Sequence, residues 1–587
     1  MWVLVLFAIG MLWRAAKIQI MEHEFWAGRA KRQIVRELTL NPKRGTIFDR
    51  NGIPMAISQE RFEIGIAPRE IASSQRDSLR SHLRDILQLP ASTVRRLTDT
   101  DRRWAVVPGR YGPEARMSLK PYRGVYFTPI VQRAHPRGRA ALPLLGVVGH
   151  DGIARGGIEA ALDSLLRGVP GKKTVYRDAF GRTRTPENDD HRPPVPGADV
   201  VMTIDSDLQE AVAEILDEAI ERTAAEAGDV VVLEVATGDI LAMVGRRANG
   251  WGSLSAVNTP YEPGSVMKPF AYAALLEERL VQMTDSVHGE NGRAVINGRI
   301  VSDVHAAGWM TYEEAFAQSS NIALVKTIGR LDPKKHHAYY KAFGFGEHPG
   351  LPIGGISTGL FRAPERWSKL SQGSLAIGYE IGATPLQIAV AYGALANNGV
   401  RMKPRLIQEI RYPDGRVQEF PPDTAGRVVS EETSREIRRL LRYVITHGSG
   451  RNADLGGFEV GGKTGTSRAY GERGYQDGYY ASFAGIFPVD APQIVIVVRI
   501  MRPKSGTYYG GAVAAPVARQ ILEAMLSEDS PPISREVLAQ GFATLARPDA
   551  PPASPRSVRW RNLSESGRWH YNPSDRPASH VAATPRP

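Results

Sequence analysis

The stretch "TIDSDLQEAVAEILDEAIERTAAEAGDVVVLEVATGDILAMVG", Thr203–Gly245, sets the fold. Leu208, Val212, Ile215, Leu216 and Ala219 recur at helical spacing, with Asp205 or Ser206 in the N-cap place and Gly228 beyond the C-terminus. The Asp205/Asp207 pair is therefore read as a cap and not as an acid/base dyad. The remainder, "DVVVLEVATGDILAMVG" (Asp229–Gly245), reads as two strands about the turn Ala236–Asp239, a link short enough to require antiparallel pairing.

A similar hairpin recurs in "YASFAGIFPVDAPQIVIVVRI" (Tyr480–Ile500), and "VAAPVARQILEAML" (Val513–Leu526) closes as a helix. Helix, hairpin, helical middle, hairpin and helix predict an α+β domain, an antiparallel sheet with helices over its faces. Upstream, Pro193, Pro194 and Pro196 in "DDHRPPVPGAD" interrupt any regular element and place a boundary near residue 195. Residues 21–195 mix short strands with polar helices; the segment begins with a helix, "MEHEFWAGRAKRQIVREL", and then a hairpin turned at Asn51-Gly52. The glycines of "LLGVVGHDGIARGGIEAALD" fit neither G-x-G-x-x-G nor a phosphate loop ending in Lys-Ser/Thr, and read as a structural loop before a helix. The expected division is 1–20 anchor, 21–195 a first, mixed domain, 196–530 main domain and 531–587 a disordered tail rich in Pro, Ser and Arg.

With 587 residues the chain has material for two to four domains and needs no staple. It has no cysteine, which excludes disulfides, thiolate zinc sites and a cysteine nucleophile. Any nucleophile is an oxygen or an amine. The net charge of +12 permits an anionic partner and selects none. In "SREIRRLLRYV", Ile437, Leu440, Leu441 and Val444 form one helical stripe, and Arg435, Arg438 and Arg442 are expected on an opposite, solvated face.

The first thirteen residues, "MWVLVLFAIGMLW", carry no charge. They rise about 20 Å as a helix, short of the roughly 30 Å hydrocarbon core. A signal peptide's basic leader and small-residue cleavage site are not evident, so a membrane anchor is expected, with a buried core helix as the other reading. Arg14, Lys17, Arg29, Lys31, Arg32 and Arg36 come after the apolar run, which by the positive-inside tendency places the body in the cytoplasm. A start further upstream, carrying a basic leader, is expected; it would lengthen the span and reverse that bias.

Three short motifs carry chemistry. In "NTPYEPGSVMKPFAYAALLEERL" (Asn258–Leu280) Ser265 and Lys268 form S-x-x-K where an irregular Gly/Pro stretch turns apolar and periodic. Alone this is weak, since such a pair arises by chance roughly once or twice in a chain this long. If Ser265 caps a helix beginning at Val266, Lys268 stands one turn along on the same side, and Pro269 falls where a missing N–H loses no bond. The plain reading is a helix start. The chemical reading is a serine nucleophile with a lysine base, which demands a neutral amine and hence burial or a second cation in the pocket. "TYEEAFAQSSNIALVKTIG" (Thr311–Gly329) has a capping box at Thr311 and Glu314, then Ser319, Ser320 and Asn321, poor mid-helix residues unless the helix breaks or the side chains are used. "FEVGGKTGTSRAY" (Phe458–Tyr470) sets Lys463, Thr464, Gly465 and Thr466 on a strand, where Lys463 offers the second cation, the threonines bind a carboxylate and Gly465 allows a substrate backbone to approach.

Singly each motif has a structural reading, but S-x-x-K, S-x-N and K-T-G in this order within one α+β domain form the signature set of serine acyl-transferases that act on D-Ala-D-Ala peptides and β-lactams. With "RGTIFDRNG", "GVVGHDGIARGGIE", "TIDSDLQ" and "AIGYEIGATPLQIAVAYGALANNG", the chain resembles, over nearly its whole length, the class B penicillin-binding proteins. "SSN" and the "EPGS" context are closer to their division-type branch.

The resemblance implies a single membrane helix, a pedestal of dimerisation type, and a penicillin-binding domain whose antiparallel five-stranded sheet lies between helical layers, on the periplasmic or extracytoplasmic side of the inner membrane. It implies peptidoglycan D,D-transpeptidation with Ser265 as nucleophile, Lys268 as proton acceptor, Ser319 and Lys463 as relay, and Asn321 orienting Lys268 and the substrate amide. Thr464 and Thr466 would hold the terminal carboxylate, and the backbone N–H groups of Ser265 and Thr466 the oxyanion. Stem peptides and β-lactams are the implied ligands, a polytopic membrane glycosyltransferase and divisome proteins the implied partners. No metal, cofactor or nucleic acid is implied. An elongation-type enzyme, a β-lactamase or carboxypeptidase using water, and a non-catalytic sensor or scaffold are the alternatives.

Overall fold

The computed structural model describes residues 1–527, 532–534, 536 and 538, apart from 150, 178–182, 185–190 and 472–473. Helix α1 (Trp2–Ala16) runs on through a π-helical turn to Met21, and together they make 20 apolar-rich helical residues with an unburied surface. That is about 30 Å of helix, long and apolar enough to cross a membrane. The thirteen-residue reading was too short because Ile18, Ile20 and Met21 extend the apolar run past Arg14 and Lys17.

Strands β1 (Ile47–Phe48) and β2 (Pro54–Ile66) are joined by the Asn51-Gly52 turn, where Gly52 has φ +79°. β2 pairs antiparallel with β3 (Val125–Ala134), and β4 (Asp199–Met202) lies parallel to β1. The other edge of β4 takes Ile407–Arg411, a strand some 200 residues downstream, so the pedestal sheet is completed from within the following domain. Where they meet, Arg44 and Arg133 each donate to the buried Glu159 at 2.6 Å, while Asp49 accepts from the Ser206 hydroxyl (2.6 Å) and backbone N–H. Asn51 donates to Asp205. The stretches "RGTIFDRNG", "GGIE" and "TIDSDLQ" thus build one junction.

Helix α2 (Ser206–Thr223) is capped by Asp205, whose carboxylate accepts from the N–H groups of Asp207 and Leu208, as read from the sequence. It ends with Ala224 at φ +48°. Gly228 is not its stop signal but lies in strand β5 (Ala227–Glu234), where a Cβ would meet Leu216 Cδ1 at 2.7 Å. The missing side chain lets α2 close on the sheet.

β5 pairs with β6 (Ile240–Arg247). Among the helices that come next are α3 (Lys268–Glu277), α4 (Tyr312–Ala317), α5 (Asn321–Ile328), α6 (Pro385–Ala396) and α7 (Glu431–His447). Strands β7 (Gly461–Gly471), β8 (Gly474–Phe487) and β9 (Ile494–Met501) and helix α8 (Ala515–Ser527) complete the domain. The five strands run in the order β6-β5-β9-β8-β7, all antiparallel, with β7 at one edge. Val230, Val232, Ile496 and Val498 face one apolar core with α2 and α8, while Val231, Leu233, Val495 and Val497 face another with α3, α6 and α7. Burial on both faces explains why β5 and β9 are almost continuously apolar.

Two expectations change. Arg438 is buried and donates to the Asn398 side chain (2.9 Å) and the Ala396 carbonyl, and Arg442 donates to Asp454, so of the three arginines expected on a solvated face Arg435 alone pairs in the open, with Glu431. The expected tail from residue 531 contributes the buried Ile533 and Leu538 to the α2/α8 core, because apolar side chains of this size gain about 2 kcal/mol each on leaving water. The tail beyond residue 538 lies outside the described residues.

Candidate active site

Ser265 does not cap a helix beginning at Val266. It lies in a 3-10 turn, Gly264–Met267, and α3 starts only at Lys268, with Pro269 in its first turn. The turn is clasped from two sides by glycines. Gly378 (φ +81°) accepts from the Gly264 N–H, and a Cβ on it would meet the Gly264 carbonyl oxygen at 2.1 Å. On β7, a Cβ at Gly465 would meet the Pro263 oxygen at 2.8 Å and Val266 N at 3.3 Å. The close approach that Gly465 permits in the structure is that of the chain's own turn before α3.

Gly378→Ala tests the clasp. It combines a left-handed φ with a backbone clash, and is expected to destabilise by about 2 kcal/mol or more. The expectation that Ser265 is the acylated residue then predicts labelling by a reporter β-lactam at least tenfold slower, read by stopped-flow. A normal rate would mean that the clasp does not position the serine.

Lys268 is fully buried, and its Nζ donates to the Ser319 carbonyl (2.5 Å), the Ser319 hydroxyl (3.1 Å) and Asn321 Oδ1 (2.8 Å). The helix does break at Ser319–Asn321: α4 ends at Ala317, Ser319 adopts φ +59°, and Ser320 caps α5 by accepting from Ala323 N–H. The capping box at Thr311 and Glu314 starts α4 as read from the sequence. Burial pulls the Lys268 amine down to about 7, a fall moderated by the negative charge of Asp303. Lys463 is also fully buried; burial first, and the charge of Lys268 second, hold it well below the ordinary lysine range. Burial and the mutual repulsion of the two amines both disfavour their carrying a proton at the same time. A lysine whose proton is held this weakly, one short turn from a serine, suits general-base activation of the hydroxyl.

Thr464 is nearly buried and shares a 2.6 Å hydrogen bond with the Ser449 hydroxyl, while Thr466 Oγ1 accepts from the Gly510 N–H at 3.0 Å. Next along β7, the Ser467 hydroxyl donates to the Glu262 carbonyl, fixing the strand to the segment that leads into Ser265.

That segment is also bolted down from beneath. Asp229 on β5 and Arg499 on β9 are register partners, both fully buried and joined by bonds of 2.8 and 2.5 Å. Arg499 also donates to the Thr259 carbonyl (2.8 Å), and its guanidinium stands 4.7 Å from the Tyr261 ring centroid. The Ser255 hydroxyl donates to Asp229, and the Tyr261 hydroxyl pairs with Ser482 at 2.9 Å. Burial pushes the Tyr261 phenol up to about 12, so it stays neutral.

Lys268, Ser319 and Asn321 are thus in direct contact, the charge of Lys268 is felt at Lys463, and Gly465 lies against the Ser265 turn. Ser449, Asp303, Asp229 and Arg499 escaped the sequence reading. A lone Asp in "DVVVLEV" and a lone Arg in "IVIVVRI" were the available signals for the last two.

Residues 228–523 match the penicillin-binding protein transpeptidase domain, and residues 39–202 the penicillin-binding protein dimerisation domain. The chain is 31% identical, over 88% of its length and 83% of the relative's, to "Stage V sporulation protein D" of Bacillus subtilis (strain 168). It is 27% identical, over 88% and 89% respectively, to "Peptidoglycan D,D-transpeptidase FtsI" of Escherichia coli (strain K12). A crystal structure of penicillin-binding protein 3 from Mycobacterium tuberculosis complexed with aztreonam superposes with a TM-score of 0.65 at 27% identity, covering 84% of this chain and 99% of that one.

Proposed function

This chain belongs to the class B penicillin-binding proteins, and from that membership and the geometry of the site we propose that it is a peptidoglycan D,D-transpeptidase working through an acyl-enzyme on Ser265. The observation that carries the proposal is the meeting of two motifs at one amine: Lys268 of S-x-x-K, fully buried, donating to Ser319 and Asn321 of S-x-N.

In the proposed reaction the Ser265 oxygen attacks the carbonyl carbon of the penultimate D-Ala, and its proton passes to neutral Lys268. The oxyanion is held by the N–H groups of Ser265 and Thr466, a contact worth roughly 3 to 4 kcal/mol per donor. The peptide C–N bond breaks, and D-Ala departs with a proton relayed through Ser319 and Lys463. An amine of a neighbouring stem peptide then attacks the ester, and Ser265 is released as the cross-link forms. Thr464 and Thr466 bind the substrate's terminal carboxylate, and Asn321 its amide. β7, as an edge strand, offers unpaired backbone groups to an extended peptide. A β-lactam enters the same sequence of steps and stops at the ester.

The apolar Trp2–Met21 helix supports membrane anchorage, with the catalytic domain on the extracytoplasmic side where peptidoglycan lies. The reading includes a septal role, a polytopic membrane glycosyltransferase that supplies glycan, and divisome partners.

Labelling with a fluorescent penicillin, followed by assay with donor and acceptor stem peptides, tests the proposal. Stable labelling with dimer formation supports it; labelling without dimers would favour a sensor, and rapid turnover with water a lactamase. The pH profile is a further test. Because the base works only when neutral, acylation should fall on the acid side with a limb near the Lys268 value of about 7. A limb near 4 to 5, where carboxylates titrate, would assign the base elsewhere.

A further inference from the structure

Asp303 belongs to none of the three motifs, yet it reaches the centre of the site. It comes directly after the strand Arg299–Ser302 of a small hairpin and points its carboxylate at the break between α4 and α5. One oxygen accepts from the backbone N–H groups of Asn321 (2.5 Å) and Ile322 (3.1 Å), the other from the Ser320 hydroxyl (2.5 Å). The neighbouring Ser302 carbonyl accepts from the Asn321 amide at 2.9 Å. The hairpin therefore grips the turn from both sides. That turn holds Ser319 at φ +59°, a conformation costing about 1 to 2 kcal/mol for a residue with a Cβ, and so it must be held from outside.

We propose that Asp303 is a positioning residue for the transpeptidation reaction: its carboxylate fixes the turn that presents Ser319 and Asn321 to Lys268, and its charge is the negative one that Lys268 faces. The inference rests on the assignment of Ser265 as nucleophile and Lys268 as its base. Around Lys268 stand Lys463 from β7, Ser319 and Asn321 from the α4–α5 turn, and Asp303 from the hairpin. Around Asp303 stand Ser320, Lys268 and, from α3, the buried Tyr272. Two buried amines and one carboxylate share the space. The charge of Asp303 opposes the effect of burial on Lys268, which agrees with this arrangement.

The test is the pH dependence of acylation by a fluorescent penicillin from about pH 5 to 9, for wild type, Asp303→Asn and Asp303→Glu. Neutralising the carboxylate lets Lys268 lose its proton more readily, so in D303N the acid limb should move to lower pH by roughly one unit. D303E keeps the charge and should keep the wild-type limb, with a lower plateau because the longer side chain caps the turn poorly. A carboxylate that only caps predicts lower plateaus in both variants with neither limb displaced, and that result would overturn the proposal. Should D303N not fold, D303S is the second neutral replacement and is held to the same displacement. An unmoved limb with a normal Ser265 adduct removes the role of Asp303 alone; absence of a Ser265 adduct in the wild type removes the underlying assignment.

Discussion

Ser265→Ala is expected to abolish covalent labelling by penicillin and to reduce cross-linking on the order of 10^4-fold or more, the loss seen when a serine enzyme is deprived of its nucleophile. The magnitude reflects the division of labour in the site. In the proposed mechanism Lys268, Ser319, Asn321 and Lys463 serve a proton path that ends at the Ser265 hydroxyl, and without that oxygen no ester can form. Stability should change little, within about 1 kcal/mol, because Ser265 is only half-buried and occupies a turn whose shape is set by Gly264, Gly378 and Gly465. Thermal melting of the variant beside gel fluorescence of bound penicillin separates the two effects. Undiminished labelling of a normally folded variant would remove the mechanism.

The second large effect falls on stability. Asp229→Asn leaves the Arg499 guanidinium buried at 0% exposure without its counter-charge, and removing one partner of such a pair costs about 3 to 5 kcal/mol. For a domain of this size the melting temperature should drop on the order of 10 °C. The double replacement Asp229→Leu/Arg499→Met removes both charges and should recover much of that loss. It should not recover acylation, because Arg499 also holds the Thr259 carbonyl and the Tyr261 ring on the approach to Ser265. Calorimetry and acylation rates on wild type and the two variants decide the matter; equal melting of D229N and wild type would contradict the assigned role of the pair.

The main domain was legible because its signals are local. Apolar runs about short turns, the Asp205 cap and the Thr311/Glu314 box are signals of neighbouring residues, so α2, the hairpins and α8 could be read directly. The three motifs were legible as residue types in order, and their convergence comes from the sheet placing β7 beside the turn before α3. What escaped depends on register and tertiary contact. Asp229 and Arg499 are partners only once β5 and β9 are aligned, 270 residues apart, and no spacing encodes that. Asp303 acts through backbone N–H groups, which carry no sequence signal. The misread residues have the same origin: Gly228 resembled a helix stop but serves packing against Leu216, and Arg438 resembled a solvated cation but reaches carbonyls at the end of α6.

The central claim, a serine made nucleophilic by a buried neutral lysine, is tested most directly by locating the covalent adduct. After incubation with penicillin and tryptic digestion, the added mass should fall on the peptide Ala248–Arg279, which spans Lys268-Pro269 uncut, and fragmentation should place it on Ser265. An adduct on Ser253, on Ser255 or outside that peptide, with Ser265 unmodified, would contradict the account.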